Sequence, residues 1–370
     1  MLEKFSVTNF KNFNKKLTFD FTASDYQFNP QSIKEGVVKT AIVYGANASG
    51  KSNLGFAIFD IVQHLTDNES KGSFYQNYLT KPISIPYAEF EYCFKFEQNE
   101  VVYRYSKTNH EILLDEFLSI NKKEVLSVKR TDKKKNANFS LQGAESLNQE
   151  IANVNLSIVK YVKENTILEN NGNNAVFNQF FDFINKMLFF RSLEHSAYLG
   201  LENGSKAIDK DIIDQGHVVD FEKFLNEAGI KCKLGIAKDI NNEEKIVFDF
   251  GGNDSISFFD IASQGTRAMA LFYYWYQRIQ SNKTSFVFID EFDAFYHHNL
   301  SKFIIKKLQK IDVQVVFTTH NTDIMTNDLS RPDCYFILND NKITSVNKLT
   351  DQELRKAHNL QKLYKAHAFE

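Results

Sequence analysis

Cysteine is scarce in this chain of 370 residues, with only three. Cys93, Cys232 and Cys334 lie far apart and form no C-x-x-C pair. That excludes a cysteine-built zinc site and a disulfide framework, and it fits a reducing compartment. Charge of one sign is lacking too: the formal net charge is −2. This excludes a strongly basic nucleic-acid coat, although it leaves room for a local patch. No apolar run approaches the roughly 18 residues needed to span a bilayer. The start, MLEKFSVTNF, has neither a basic leader nor an apolar h-region, so no secretory signal is expected. Sustained heptads are absent, which argues against a long coiled-coil arm, and no internal repeat stands out. A cytoplasmic protein with no membrane segment is the expectation.

What is present is the composition of a folded chain: 43% of residues are hydrophobic and 35 are phenylalanine. That is enough to core one large domain or two. KFSVTNF and KLTFDF alternate like strands. KTAIVYG is an apolar strand running into a glycine-rich loop. After it, Leu54, Ile58, Ile61, Val62 and Leu65 share one helical face. AEFEYCFKFEQNEVVYRYS reads as a hairpin turning near Gln98 and Asn99. KRTDKKKNAN is a basic polar loop, and VFNQFFDFINKMLFF and VVDFEKFLNEAGI are helical stretches. The last third alternates helix and strand. RAMALFYYWYQRIQ and LSKFIIKKLQKI are helices, TSFVFIDE and VQVVFTTH are buried strands, and CYFILND with KITSV forms a closing hairpin. Such alternation predicts an α/β fold with a mixed, mostly parallel sheet flanked by helices. The expected layout is residues 1–105 as the N-terminal half of a nucleotide-binding domain with an antiparallel β lobe. Residues 106–215 form a partly helical insertion, and 216–370 form the C-terminal half.

Residues 45–52 read G-x-x-x-x-G-K-S, between an apolar strand and an amphipathic helix. This is a P-loop in its proper context. The glycines let backbone N–H groups converge on a phosphate. Lys51 supplies positive charge to the β- and γ-phosphates, and the Ser52 hydroxyl is a Mg²⁺ ligand. Gly45, Ala46, Asn47, Ala48, Ser49, Gly50, Lys51, Ser52 and Asn53 are the expected ATP contacts. The strand Phe286 to Ile289 ends in two acids. An ordinary strand ending in solvated acids looks the same, but beside a P-loop Asp290 is placed to hold Mg²⁺ and Glu291 to polarise an attacking water. Farther along, SQGTRAMA puts Ser263 and Gly265 at the head of a helix, where free N–H groups favour a second anion.

Lys51 and Asp290 are much farther apart than in ring-forming AAA+ motors. The Ser-x-Gly turn precedes the acidic strand, and TTHN ends the next strand. That order, around a long insertion, resembles ABC-type ATPases of the RecF and SMC-related group. NFKNF resembles their N-F-K-x-F opening, and DEFDAFYHHN their D-E-x-D-x-x-L-H-P segment. LSRPDCYFILND and the C-terminal LRKAHNLQKLYKAHAFE resemble the ending of bacterial stand-alone ABC-type AAA-family ATPases. Several of these act in anti-phage defence and abortive infection, among them the ATPase of the PARIS system. Departures are Gln264 within the signature, Tyr296 for leucine and His298 for proline, and no Q-loop glutamine is assigned.

The resemblance implies a P-loop NTPase of ABC type. His320 is then the switch histidine, and Glu291, His320 and Lys51 carry catalysis. Ser263, Gln264, Gly265 and Thr266 contact ATP held by another subunit, in a homodimer or higher homo-oligomer. Arg331 resembles an arginine the family keeps, either supporting the nucleotide or merely lying on the surface, and Phe10 and Lys11 are placed near the adenine. His297 and His298 are not read as metal ligands, because adjacent residues usually point apart. The basic stretches at Lys133 to Lys135, KFIIKKLQK and the C-terminus are read as solvated unless they merge into one patch, which leaves DNA open as a partner. The chain ends soon after His320, so no TOPRIM nuclease domain is expected in it and killing chemistry is expected in a separate effector such as a nuclease. The alternatives are a RecF-like DNA-repair ATPase and a low-turnover, ATP-gated scaffold holding a toxic partner.

Overall fold

The computed structural model describes residues 1–67, 72–82, 84–130, 136–151, 153–191, 198–200, 208–252, 254–281, 284–294 and 298–369. Two seven-stranded sheets organise them. The central sheet runs in the order Tyr198–Gly200, Met187–Arg191, Phe286–Asp290, Gln314–Thr319, Thr40–Tyr44, Tyr335–Asn339, Lys342–Ser345. Its five inner strands are mutually parallel and its two edge strands antiparallel. The inner strands are short apolar runs because both of their faces are covered. Along Thr40–Tyr44, Ala41 and Val43 join one core while Ile42 and Tyr44 join the other. Phe286 and Phe288 alternate with Val287 and Ile289 in the same way, as a period of two demands. On one face lie the helices after the P-loop and the helix Gly172–Asn185; on the other lie Val218–Glu227, Gln264–Gln280 and His298–Gln309.

The second sheet is wholly antiparallel. It orders Asn138–Phe139, Lys123–Lys129, Leu113–Ile120, Asn99–Lys107, Ala88–Phe96, Leu2–Thr8 and Leu17–Asp20. Residue 105, the expected end of the β lobe, falls inside the strand Asn99–Lys107, and the sheet continues to Phe139. Helices follow at Ile158–Asn165 and Gly172–Asn185. A small sheet of Leu234–Lys238, Glu244–Asp249 and Ser255–Ser257 leads into the last third. Two sequence expectations need correction. The stretch VFNQFFDFINKMLFF is not one helix. It ends at Asn185, and Met187–Arg191 forms a strand paired in parallel with Phe286–Asp290. The helix after the P-loop is also broken, into Lys51–Ile58 and Asp60–Leu65. Its five predicted apolar positions are nonetheless all buried. Gly55 explains how closely the first piece packs: a Cβ there would meet the Phe189 ring at 2.6 Å and the Phe288 ring at 2.7 Å.

The break has hydrogen-bonding partners from the antiparallel sheet and from the 3-10 turn Gly72–Tyr75 that precedes its strand Ala88–Phe96. The Tyr92 hydroxyl donates to the Ala57 carbonyl at 3.0 Å and the Ile58 carbonyl at 3.3 Å, and the Tyr75 hydroxyl to the Phe56 carbonyl at 3.2 Å. These satisfy carbonyls that an uninterrupted helix would have bonded internally. Asp60 opens the second piece, fully buried, and accepts from the Tyr78 hydroxyl, the Tyr105 hydroxyl and the Lys107 ammonium, each at 2.9 Å. A second buried carboxylate, Glu116, takes Tyr103 at 2.8 Å, Ser157 at 2.6 Å, Arg130 at 3.1 Å and the Ile158 amide at 3.0 Å, and so holds the start of helix Ile158–Asn165. His64 links the two groups through Tyr103 at 2.9 Å, and burial then the Lys107 charge push its pKa well below the usual value, so the ring is neutral. Removing one partner of such a pair leaves a buried charge uncompensated. Lys107→Met is expected to lower stability by about 3–5 kcal/mol, read as the shift of the urea midpoint at unchanged m-value. A shift near zero would mean that the two tyrosines alone satisfy Asp60.

Candidate functional site

The strand Thr40–Tyr44 delivers the loop Gly45 to Gly50 to one end of the central sheet, and Lys51–Ile58 starts directly after it. Ala46, Asn47 and Ala48 are exposed at the loop's crest. Ala48 has φ 63° and Gly50 φ 101°, so the chain curls in two left-handed steps. At Gly50 only glycine fits. A Cβ would lie 2.4 Å from the Asn12 amide nitrogen, on top of the cost of the conformation. Asn12, from the NFKNF segment, donates to the Ser49 carbonyl at 3.4 Å and accepts from the Asn53 amide at 2.7 Å, steadying the loop from outside.

Lys51 folds back into the loop. Its Nζ donates to the Gly45 carbonyl at 2.9 Å and the Ala46 carbonyl at 3.1 Å. Burial lowers its pKa against the opposing pull of Asp290 and Glu291. A cation held by the loop's own carbonyls stands where a glycine-rich loop meets a polyphosphate. Ser52 reaches across to the next-but-one strand: its Oγ donates to Asp290 Oδ2 at 2.6 Å. Asp290 is fully buried at the end of Phe286–Asp290. It also accepts from the Thr318 hydroxyl at 2.7 Å and pairs with the Arg191 Nε at 3.0 Å. A hydroxyl and a carboxylate oxygen side by side, next to a phosphate-shaped loop, are the hard oxygen donors Mg²⁺ takes from a protein when phosphates and water complete its shell. Ser52 and Asp290 therefore fit the ion.

Glu291 follows at φ 48°, a left-handed kink, with its amide bonded to the Thr318 hydroxyl at 2.8 Å. Strain of that kind is uncommon outside glycine and marks a constrained position. Thr318 thus holds both acids at once. Thr319 donates to the two oxygens of Asp293, each at 2.8 Å, and burial raises the Asp293 carboxyl to about 6. His320 comes next, at the exposed end of Gln314–Thr319. Partial burial and then the nearby Lys51 charge lower its pKa, outweighing Asp290, so the imidazole is neutral at pH 7.

The structure thus brings together the P-loop, Asp290 and the strand end bearing Thr318 to His320. The signature stands on its own. Ser263 caps the helix Gln264–Gln280, its Oγ accepting from the Thr266 amide at 3.2 Å and meeting the Thr266 hydroxyl at 2.9 Å. The hydrogen bonds of Ser263 and Thr266 are local, and Ser263 and Gln264 are exposed. Arg331 is neither a surface residue nor a P-loop ligand. It is buried, bonds Asp333 and the Ser24 and Tyr26 carbonyls, and pins the N-terminal segment to the last hairpin. Lys11 donates to the Gln76 carbonyl at 3.0 Å. Lys133 to Lys135, Tyr296 and His297 lie outside the described residues, as does the side chain of His298.

Sequence reasoning passed over Asn12, Arg191, Thr318 and Asp293. Three lay in stretches already noted: Asn12 in NFKNF, Thr318 at the TTH strand end and Asp293 in D-E-F-D. Arg191 carried no local signal. A cavity of about 420 Å³ borders Gly45 and Ala46, walled by Leu338, Asp340, Leu349 and Tyr364. A larger one of about 800 Å³ lies on the antiparallel sheet among Lys16, Glu91, Arg104, Glu124 and Lys129, and shares no residue with the P-loop. No described helix is long and apolar enough to cross a membrane.

Residues 41–326 match the model of a protein family described as "AAA domain, putative AbiEii toxin, Type IV TA system". Among solved structures the chain is similar to the SMC head domain from Thermotoga maritima, at 15% identity and TM-score 0.46, covering 93% of this chain and 98% of that one. It is similar to an Smc head domain with an extended coiled coil, bound to the C-terminal domain of ScpA derived from Pyrococcus furiosus. The figures there are 14% identity and TM-score 0.43, covering 94% and 97%. It is also similar to the recombination mediator protein RecF-ATPrS, at 15% and 0.40, covering 94% and 98%. No curated protein matches the chain.

Proposed function

The chain belongs to this AAA-domain family, and from that premise we propose that it binds ATP with Mg²⁺ and hydrolyses it between two copies of itself. The observation that carries the reading is the convergence of Lys51, Ser52 and Asp290, with Ser52 and Asp290 2.6 Å apart although far separated in sequence. When bound, Mg²⁺ would be held by Ser52 and Asp290 and would draw charge from the phosphates. The chain's own residues do the rest. The loop from Gly45 to Gly50 and Asn53 cradle the phosphates, and Lys51 neutralises them. Glu291, fixed by Thr318, orients a water and accepts its proton. A neutral His320 donates one hydrogen bond toward the γ-phosphate.

The exposed signature supplies the second copy. Ser263, Gln264, Gly265 and Thr266 head a helix of 17 residues, whose dipole and free amides favour an anion. Their hydrogen bonds stay within their own helix, which supports a phosphate arriving from a partner. Ser263→Arg should leave binding of a fluorescent ATP analogue nearly unchanged while abolishing ATP-driven dimerisation and turnover. Light scattering with and without ATP reads it, and an ATP-dependent dimer of normal mass in this variant would defeat the sandwich.

A biological role follows as part of the same proposal. The family description names a type IV toxin–antitoxin toxin, which supports anti-phage defence or abortive infection of the PARIS ATPase kind, with ATP state controlling a separate effector such as a nuclease. A RecF-like repair role predicts instead ATP-stimulated DNA binding that falls steeply with salt. A gel-shift titration at two salt concentrations, and infection assays with the P-loop variant, separate the two.

A further inference from the structure

Asp290 Oδ2 is contested. It accepts the Ser52 hydroxyl at 2.6 Å and lies 3.0 Å from Arg191 Nε, while Oδ1 accepts Thr318. Ser52 takes one of the roughly two lone-pair directions of Oδ2, and the Arg191 charge stands in ion-pair contact with the same oxygen. Arg191 is placed there by the parallel pairing of its strand, in which Arg191 stands opposite Asp290 at the same end of the sheet as the P-loop. Asp290 is fully buried. A buried carboxylate without a counter-charge is costly.

We propose that Arg191 is the resident counter-cation of the metal position. It is the positive charge set against buried Asp290, and it must leave Oδ2 before a divalent cation can use that oxygen. The inference rests on the assignment of Ser52 and Asp290 as the Mg²⁺ pair. Two cations on one carboxylate oxygen repel each other, so metal alone is refused. Metal arriving with a polyphosphate brings the negative charge that makes up for the lost pairing. Arg191 thus acts through Asp290, as a positioning residue that makes metal binding conditional on nucleotide.

The first test is free of nucleotide and of turnover. Mn²⁺ alone is titrated into the full chain and free Mn²⁺ is followed by electron paramagnetic resonance. Arg191→Gln should bind one Mn²⁺ at least about tenfold more tightly than the wild type, and Mn²⁺ should raise its melting temperature. Adding Asp290→Asn should abolish both effects. Equal Mn²⁺ affinity in wild type and Arg191→Gln overturns the proposal. Failure of the nucleotide assignment shows separately, as a wild type that binds no ATP. Should Arg191→Gln not fold, the wild type carries the test through the ¹⁵Nε–H resonance of Arg191. It should shift and lose its exchange protection when Mg²⁺ and ADP are added together; a resonance that ADP with Mg²⁺ leaves in place overturns the proposal.

Discussion

Lys51→Ala is expected to lose ATP affinity by about two to four orders of magnitude and to show no turnover. The size follows from the bonds removed. Charge-assisted hydrogen bonds contribute roughly 1.5–3 kcal/mol each, the ammonium would give two or more to the β- and γ-phosphates, and each 1.4 kcal/mol is tenfold in affinity. The fold should survive, because in the nucleotide-free chain Lys51 bonds only two carbonyls of its own loop, Gly45 and Ala46. Equilibrium binding of a fluorescent ATP analogue, beside an unchanged circular dichroism spectrum, reads the result. Normal binding and turnover would remove the P-loop assignment, and with it the rest of the mechanism.

Glu291→Gln should behave in the opposite manner. ATP binding stays, hydrolysis falls by about 10²–10⁴, and ATP-bound dimers accumulate. Glutamine keeps the shape and the hydrogen-bonding reach of the side chain but cannot take a proton from water. The backbone is indifferent to the change, because the left-handed kink at Glu291 is held through its amide by Thr318. Phosphate release and size-exclusion mass in ATP distinguish the outcomes. If the variant hydrolyses at the wild-type rate, another group is the base. Among the described residues Asp293, raised to about 6 by burial, would be next to substitute.

The site was legible where its chemistry is written in consecutive residues. Strand, glycine-rich loop and helix announce Gly45 to Ser52, and an apolar strand ending in Asp290 and Glu291 announces the acids. Arg191 was not legible because strand pairing alone brings it to Asp290; no spacing along the chain encodes the register that sets them opposite. Its own strand was misread for a related reason. Met187 to Phe190 continue the apolar pattern of the preceding helix, and a short apolar run does not by itself distinguish helix from strand. Lys186, with φ −102° and ψ 11°, marks the changeover. The sheet beyond residue 105 was lost differently. Leu113–Ile120 and Lys123–Lys129 carry only weak alternation, and their mutual register shifts between Leu118 and Ser119. The break at Phe59 depends on tyrosine hydroxyls arriving from a later strand and a later turn, which helical periodicity does not contain.

That break also bears on how the chain can evolve. Helix Lys51–Ile58 is a strut of roughly 12 Å by its rise per residue, with the phosphate lysine at one end and carbonyls bonded to Tyr92 and Tyr75 near the other. The antiparallel sheet is therefore no detachable module. Exchanging it for a relative's would strand Asp60 unless Tyr105 and Lys107 came across together, and would uncap the strut unless Tyr92 did. Recombination at the gene level should spare this set as one block, and substitutions within it should be inherited jointly even while the sheet's solvent face drifts.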